Sequence, residues 1–253
     1  MTGEKFTELM AIMRKLRTDC PWDKEQTHDS IKAATLEEAY ETVEAIDEKQ
    51  YDKLKEELGD LLLHIVFHSV IAEDNAKFTI DDVIESISAK LIRRHPHVFG
   101  DTEVNGSKDI ERNWEKIKLA EGRSSVLEGV PKNLHGLYRS FRIQQKVSKV
   151  GFDWKNKEDV WAKVLEEINE LHEAEETGDK EHMEKEMGDL FFSLVNYSRF
   201  IGINPEDAIR ITNEKFIRRF QFVEKKIADN GGSLLESTLE EMDKYWEESK
   251  KYY

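Results

Sequence analysis

Four carboxylates in the first half of this chain carry the spacing of a metal site. Glu38 and Glu41 stand three positions apart in LEEAYE, and Glu57 and Asp60 stand three apart in KEELGDLLLHIV. On a helix that spacing puts both acids of a pair on one face, a single turn apart. Apolar residues flank each pair, so the acids belong at the edge of a buried stripe. Two antiparallel helices facing each other would gather all four around one point, a site for a hard divalent cation and an anionic ligand. Glu167, Glu170, Glu186 and Asp189 repeat the pattern in LEEINE and KEMGDLFFSLV, each 129 positions after its counterpart. A lone E-x-x-E in a chain that is 36 % charged is usually a solvated face. Two pairs in register beside an apolar stripe, repeated at identical spacing, argue for a site instead.

Unneutralised, four acids in a small volume repel one another and raise some of their pKa values. Mg²⁺ resolves this, with Mn²⁺ as a possible substitute. Mg²⁺ takes oxygen ligands and keeps positions for water and substrate phosphate.

Cations and aromatics repeat as well. KLIRR places Lys90 and Arg94 one helical turn apart, and KFIRR places Lys215 and Arg219 the same way, 125 positions later. Such pairs suit phosphate, with Arg as a planar fork and Lys as a point charge. Complementing a helix C-terminus is the alternative use of both pairs, a weaker one for Lys215, whose helix continues past Arg219. Trp114 and Lys118 recur as Trp246 and Lys250 at an offset of 132. A base stacked on Trp with Lys on a phosphate fits this pattern, and so does a Trp that anchors a terminal helix. His64 follows Asp60 by one turn, but Ser193 stands at its counterpart, so it reads as a packing histidine. Trp22 and Trp154 sit in comparable loops and either close a pocket or seal a core.

These residues need helices to hold them. Phe6, Leu9, Met10, Met13 and Leu16 define an amphipathic helix over residues 4–18. The acid pairs fall on helices over 30–49 and 51–75, the second with Leu54, Leu58, Leu61 and Ile65 as its core stripe. Thr79 with Asp82 makes a capping box for a third, which stops at His95 because Pro96 follows. Residues 121–133, with two glycines, two serines and a proline, form the linker. Helices follow over 134–150, 158–176, 179–201 and 205–229, with Asn204-Pro205-Glu206 as a strong start signal. Ser237 and Glu240 box a final helix running to Tyr253. No strand pattern appears. The offsets change between elements and not within them, as loop insertions in a duplicated unit would do. The expected class is all-α, with two tandem four- or five-helix domains over residues 1–120 and 134–253.

The net charge of −15 argues against binding a nucleic-acid polymer. Cys20 is the only cysteine, which suits a reducing compartment. No apolar run approaches the ~18 residues of a membrane span, and the first residues lack a signal-peptide core. A cytoplasmic location is the expectation.

E-x-x-E followed by E-x-x-D on helices resembles the signature of the all-α nucleoside triphosphate pyrophosphohydrolases. The strings CPWDKEQTHDSI, TLEEAYE, EELGDLLLHIVFH, RRHPHVFGD, VGFDW and NEKFIRRF are similar to tandem-domain members of the MazG branch of that family. The resemblance covers nearly the whole chain. It implies Mg²⁺-dependent hydrolysis of nucleoside triphosphates to monophosphate and pyrophosphate, housecleaning of the nucleotide pool with broad base specificity, and a homodimer. It makes Glu38, Glu41, Glu57 and Asp60, and Glu167, Glu170, Glu186 and Asp189, the metal ligands of the two halves. Lys90 and Arg94, or Lys215 and Arg219, would hold phosphate, and Trp114 and Lys118, or Trp246 and Lys250, would complete the nucleotide site. The second half is the favoured hydrolytic site, because Lys215 and Arg219 lie within a long helix whereas Arg94 abuts His95-Pro96. Glu170 or Glu41 is the favoured base. Two other classes compete. A di-iron bundle needs inward Glu-x-x-His motifs, and the one such spacing, Glu25 to His28, falls in a loop. A helical nucleotide- or protein-binding adaptor explains the duplication but not the paired acid quartets.

Overall fold

The computed structural model describes residues 2–122 and 124–253, without the side chains of Thr2, Ser107, Lys108, Glu111, Arg112, Glu115, Lys116 and Leu119. Arg123, inside the expected linker, lies outside the described residues. Among those described, every regular element is a helix. Contacts group the chain into two compact units, Met1–Glu103 and Val104–Tyr253.

The first unit contains α1 (Thr2–Asp19), α2 (Pro21–Glu25), α3 (His28–Asp47), α4 (Tyr51–Asp74), α5 (Ile80–Arg94) and α6 (Pro96–Phe99). Thr27 caps α3 by accepting from the Ser30 amide, and the Ser30 hydroxyl returns the bond to the Thr27 amide. Thr79 and Asp82 form the expected box on α5, and His95 closes that helix. The polar stretch after Cys20 is not all loop. Pro21 at the first helical position, with its φ already preset, starts α2. Arg17 holds that short helix by donating to the carbonyls of Lys24 and Gln26 and ties α1 to α4 through Asp74 at 2.8 Å.

The core of this unit joins Met10 and Met13 of α1, Ile31 of α3, Val66 to Ile71 of α4, and Ile80 of α5. It lies at the C-terminal half of α4. The stripe expected on the N-terminal half is only partly buried: Leu54 and Leu61 are half-buried, whereas Leu58 is 52 % and Ile65 50 % exposed. There the residues turned inward are Glu57 and His64. α3 meets α4 along this side with the acids, which leaves the leucine-rich side uncovered.

The second unit contains α7 (Ser107–Ala120), α8 (Gly136–Ser148), α9 (Lys157–Thr177), α10 (Lys180–Phe200), α11 (Pro205–Asp229) and α12 (Leu239–Ser249). α9 and α10 pair along their length as α3 and α4 do, and α8 packs across α10 and α11. Asn156, Asp179 and Asn204 cap α9, α10 and α11. Gly178 ends α9 with φ of 70°, a left-handed residue that a side chain would strain. α12 differs from expectation. Thr238 rather than Ser237 accepts from the first turn, at Glu241, and Ser237 donates back to Ser233. The helix then closes at Ser249 with Lys250 as its cap.

Candidate active site

Each acid pair rides on one helix of an antiparallel pair. In the first unit Glu38, Glu41 and Glu57 each offer a carboxylate oxygen, and the three lie within 4.8 Å of one another. In the second unit Glu167, Glu186 and Asp189 do the same. The quartets expected from the sequence are therefore trios, and the acid standing apart differs: Asp60 in the first unit, Glu170 in the second. Glu57 and Glu167 are buried, at 7 % and 4 % exposure, while Asp60 and Asp189 reach solvent.

The electrostatics favour a cation at these acids. Burial, then the charges of Asp60 and Glu41, pushes the Glu38 carboxyl above its ordinary value. Burial and Glu41 do the same to Glu57, and burial and Glu167 to Glu170. On one ion with bonds of about 2.1 Å, neighbouring oxygens stand ~3.0 Å apart and opposite ones ~4.2 Å, so the oxygens of each trio would draw together on binding. An all-oxygen donor set of this kind suits a hard divalent ion and gives no reason for iron.

The surroundings of the two trios are unlike. Lys163, one turn before Glu167, bonds Glu167 at 2.7 Å and Glu166 at 2.8 Å, and both carboxylates, Glu166 first, raise its pKa. His182 reaches Glu186 at 3.2 Å. In the first unit Ala34 stands where Lys163 does, and Lys53, at the place of His182, bonds Glu44 instead. His64 fills the first site from the side, with Nε2 4.0 Å from Glu38. Burial pushes it below the usual histidine range, which favours the neutral ring. The sequence reading missed Lys163. Its signal was the i,i+4 spacing to Glu167, which is common on any charged helix.

The cations and aromatics gather on other helices. Lys215 and Arg219 lie on α11, and Arg219 stands over the Trp246 ring of α12 at 5.8 Å while donating to the Tyr253 carbonyl at 3.2 Å. Phe216 also packs on Trp246, at 5.0 Å between ring centres. The two helices enclose a groove of ≈ 270 Å³ lined by Phe216, Phe220, Val223, Leu239, Met242, Asp243 and Trp246. Lys250 pairs with Glu247. In the other copy Lys118 stands over Trp114 at 5.6 Å, and Lys90 and Arg94 close α5, which packs on α4 and α6. Lys90 and Lys215 form no ion pair among the described residues, so neither is drawn to an acid trio. Trp22 lies on the core, 6.4 Å from the Phe67 ring and largely exposed, and the Trp154 loop is tied to α10 by Asp153 and Arg199 at 2.9 Å.

The family model of the MazG nucleotide pyrophosphohydrolase domain matches twice, over residues 26–99 and 155–223, and each match contains one acid trio. A nucleoside triphosphate pyrophosphohydrolase/pyrophosphatase MazG of Thermotoga maritima is 47 % identical over 253 residues, covering 98 % of this chain and 96 % of that protein. A nucleoside triphosphate pyrophosphohydrolase of Escherichia coli K12 is 42 % identical over 98 % of this chain and 97 % of its own length. The uncharacterized protein YabN of Bacillus subtilis is 47 % identical over 98 % of this chain, which corresponds to 52 % of the longer relative. With two matching domains, and relatives aligned end to end across both, the chain is a tandem all-α member of the MazG nucleotide pyrophosphohydrolase family.

Proposed function

We propose that the chain hydrolyses nucleoside triphosphates to the monophosphate and pyrophosphate, with Mg²⁺ as its ion and Mn²⁺ as a substitute. The carrying observation is the pair of carboxylate trios on facing helices, each within a matched family domain. A divalent ion held there supplies the Lewis acid that neutralises the triphosphate and activates water. In the second half Glu167, Glu186 and Asp189 would bind it. Glu170 stands outside that trio, and its raised pKa suits a base that takes a proton from the attacking water. Attack falls on the α-phosphorus, and pyrophosphate leaves toward Lys215 and Arg219, whose charges offset its own. The groove at Trp246 receives the base. Its lining is apolar apart from Asp243 and the indole N–H of Trp246, which supports broad base selection and a housecleaning role. In the first half Glu38, Glu41, Glu57 and Asp60 with Lys90 and Arg94 hold the corresponding roles, and the second half is the main hydrolytic site.

The domains are best drawn at residues 1–120 and 134–253 with 121–133 between them, on the recurrence of Trp114 and Lys118 as Trp246 and Lys250. The working form is a homodimer. Leu58, Leu62 and Ile65 of α4 and their counterparts Met187, Phe191 and Leu194 of α10 are all exposed, so equivalent faces stay uncovered in both halves. Among the described residues no helix is long and apolar enough to cross a membrane, and we place the chain in the cytoplasm, acting on free nucleotides rather than a polymer.

Incubation with a panel of ordinary, deoxy, deaminated and oxidised triphosphates and Mg²⁺, followed by pyrophosphate assay, tests the reaction. Release is expected from several members of the panel. No release from any of them would leave a helical adaptor as the better reading. Size-exclusion chromatography with light scattering tests the dimer, and a monomeric mass would overturn it.

A further inference from the structure

The packing around His64 leaves one of its nitrogens pointing at the first acid trio. His64 is 9 % exposed on α4, one turn after Asp60. Its Nδ1 lies 3.0 Å from Thr35 Oγ1, and His68 Nε2 lies 3.1 Å from the same oxygen. The Thr35 hydroxyl has a single proton, and the Ile31 carbonyl, one turn back at 3.1 Å, takes it. Both imidazoles therefore donate to Thr35. His68, with its proton on Nε2, accepts at Nδ1 from His28 Nδ1 at 2.8 Å. The two rings lie 14° from parallel with centres 5.1 Å apart, as a head-on N–H···N bond requires. The chain of donors fixes the His64 proton on Nδ1 and its lone pair on Nε2.

That Nε2 makes no hydrogen bond among the described residues and faces Glu38 Oε1 at 4.0 Å. A lone pair turned toward a carboxylate is repulsive unless a cation stands between them. The separation falls within the ~4.2 Å that two bonds of about 2.1 Å to one ion can span. A ligating histidine whose other nitrogen donates to a fixed acceptor is also the usual arrangement around protein-bound metals.

We propose that His64 Nε2 is a nitrogen ligand for a divalent ion held at Glu38. The inference rests on reading the acid trios as cation sites. It makes the two halves chemically distinct. The second half has Ser193 in place of His64, donating to its own Leu190 carbonyl at 2.9 Å, and Val164 in place of Thr35. Its site is built from oxygen ligands and suits Mg²⁺, whereas an imidazole nitrogen shifts the first site toward transition ions such as Mn²⁺.

The full chain loaded with Mn²⁺ and examined by pulsed electron paramagnetic resonance tests this directly. The expected result is a nitrogen coupling on the bound Mn²⁺ that changes when histidine is ¹⁵N-labelled, is lost in His64→Asn and persists in His182→Asn. Calorimetry should show Mn²⁺ binding in the first half weakened about tenfold by His64→Asn, with Mg²⁺ binding less affected. Bound Mn²⁺ without nitrogen coupling, or a coupling lost in His182→Asn, overturns the role of His64 and leaves the acid trios standing as cation sites. Failure to bind Mn²⁺ at all overturns both. Should His64→Asn not fold, the label comparison in the unmodified chain and in His182→Asn decides the matter without it.

Discussion

In the first half Glu38, Glu41 and Glu57 converge while Asp60 stands aside. In the second half Glu167, Glu186 and Asp189 converge while Glu170 stands aside. The backbone positions correspond one to one, 129 residues apart, so the helices alone do not choose which three acids meet. Their neighbours differ at three matched positions. Lys163 holds Glu167 where the first half has Ala34. His182 reaches Glu186 where Lys53 turns away to Glu44. Ser193 bonds its own helix where His64 faces Glu38. The second trio is thus partly neutralised by side chains of its own helices, and the first is left with its repulsion and a neutral ring. The comparison teaches that a duplicated acid signature fixes where charge is placed, and that a few flanking residues fix what the charge is used for.

The largest effect should come from removing a trio acid. Glu186→Ala is expected to lower pyrophosphate release about 100-fold or more, since bound metal supplies several kcal/mol of charge stabilisation. Glu57→Ala in the first half should cost only a few-fold. Steady-state assays of the two variants, with circular dichroism confirming helix content, check the difference. Equal losses would show that both halves hydrolyse.

Exchanging Lys163 tests the next distinction. In Lys163→Ala the ion no longer competes with an ammonium for Glu167. A partly exposed pair of this kind is worth about 1 kcal/mol, so Mg²⁺ should bind the second half about fivefold tighter by calorimetry. Ala34→Lys should weaken the first site by a similar factor. Weaker Mg²⁺ binding in Lys163→Ala would mean that Lys163 positions Glu167 for the ion.

The pH dependence of stability follows from the acids whose pKa is raised. A carboxyl raised on folding holds its proton more tightly in the folded chain. Its contribution favours the folded state below the ordinary value of 4.5 and is lost as pH climbs through the raised one. In ion-free protein Glu57→Gln should therefore melt higher than the parent at pH 7, and the gain should close as pH falls toward 4.5. Saturating Mg²⁺ should reverse the sign at pH 7, because the ion then needs the charge. Glu170→Gln should follow the ion-free behaviour in the second half. Melting curves across pH, with and without Mg²⁺, decide it.

The smallest effect belongs to the caps. Thr27→Ala removes the reciprocal box that starts α3 and should cost about 1 kcal/mol in chemical denaturation. Asn156→Ala, at the start of α9, should cost a similar amount. Neither should change the ion affinity of its half by more than about twofold.

Much of the scaffold was legible. Period 3.6 patterning and the start signals at Thr79 and Asn204 located the long helices within a few residues. Short elements were not. α2 and α6 are too brief for any periodicity to register and rest on Pro21 and Pro96 at their first positions. At α12 Ser237 and Thr238 are both good caps, and only the path of the chain after Ser233 selects Thr238. The stripe of Leu58 and Ile65 has a clean helical spacing and still faces outward, because spacing identifies a face without naming what covers it. The Ser193 at its counterpart marks His64 as a packing residue, and its packing against Thr35 aims its other nitrogen at Glu38.

The sequence by itself determined that the protein is a duplicated helical chain with two acid signatures. Residue spacing along a helix is a local property, and a repeat is a comparison of spacings. Tertiary structure decided which three of each four acids meet, and that Lys163 and His64 border them. Those outcomes depend on how helices distant in sequence face one another, and on which neighbour reaches a shared carboxylate first.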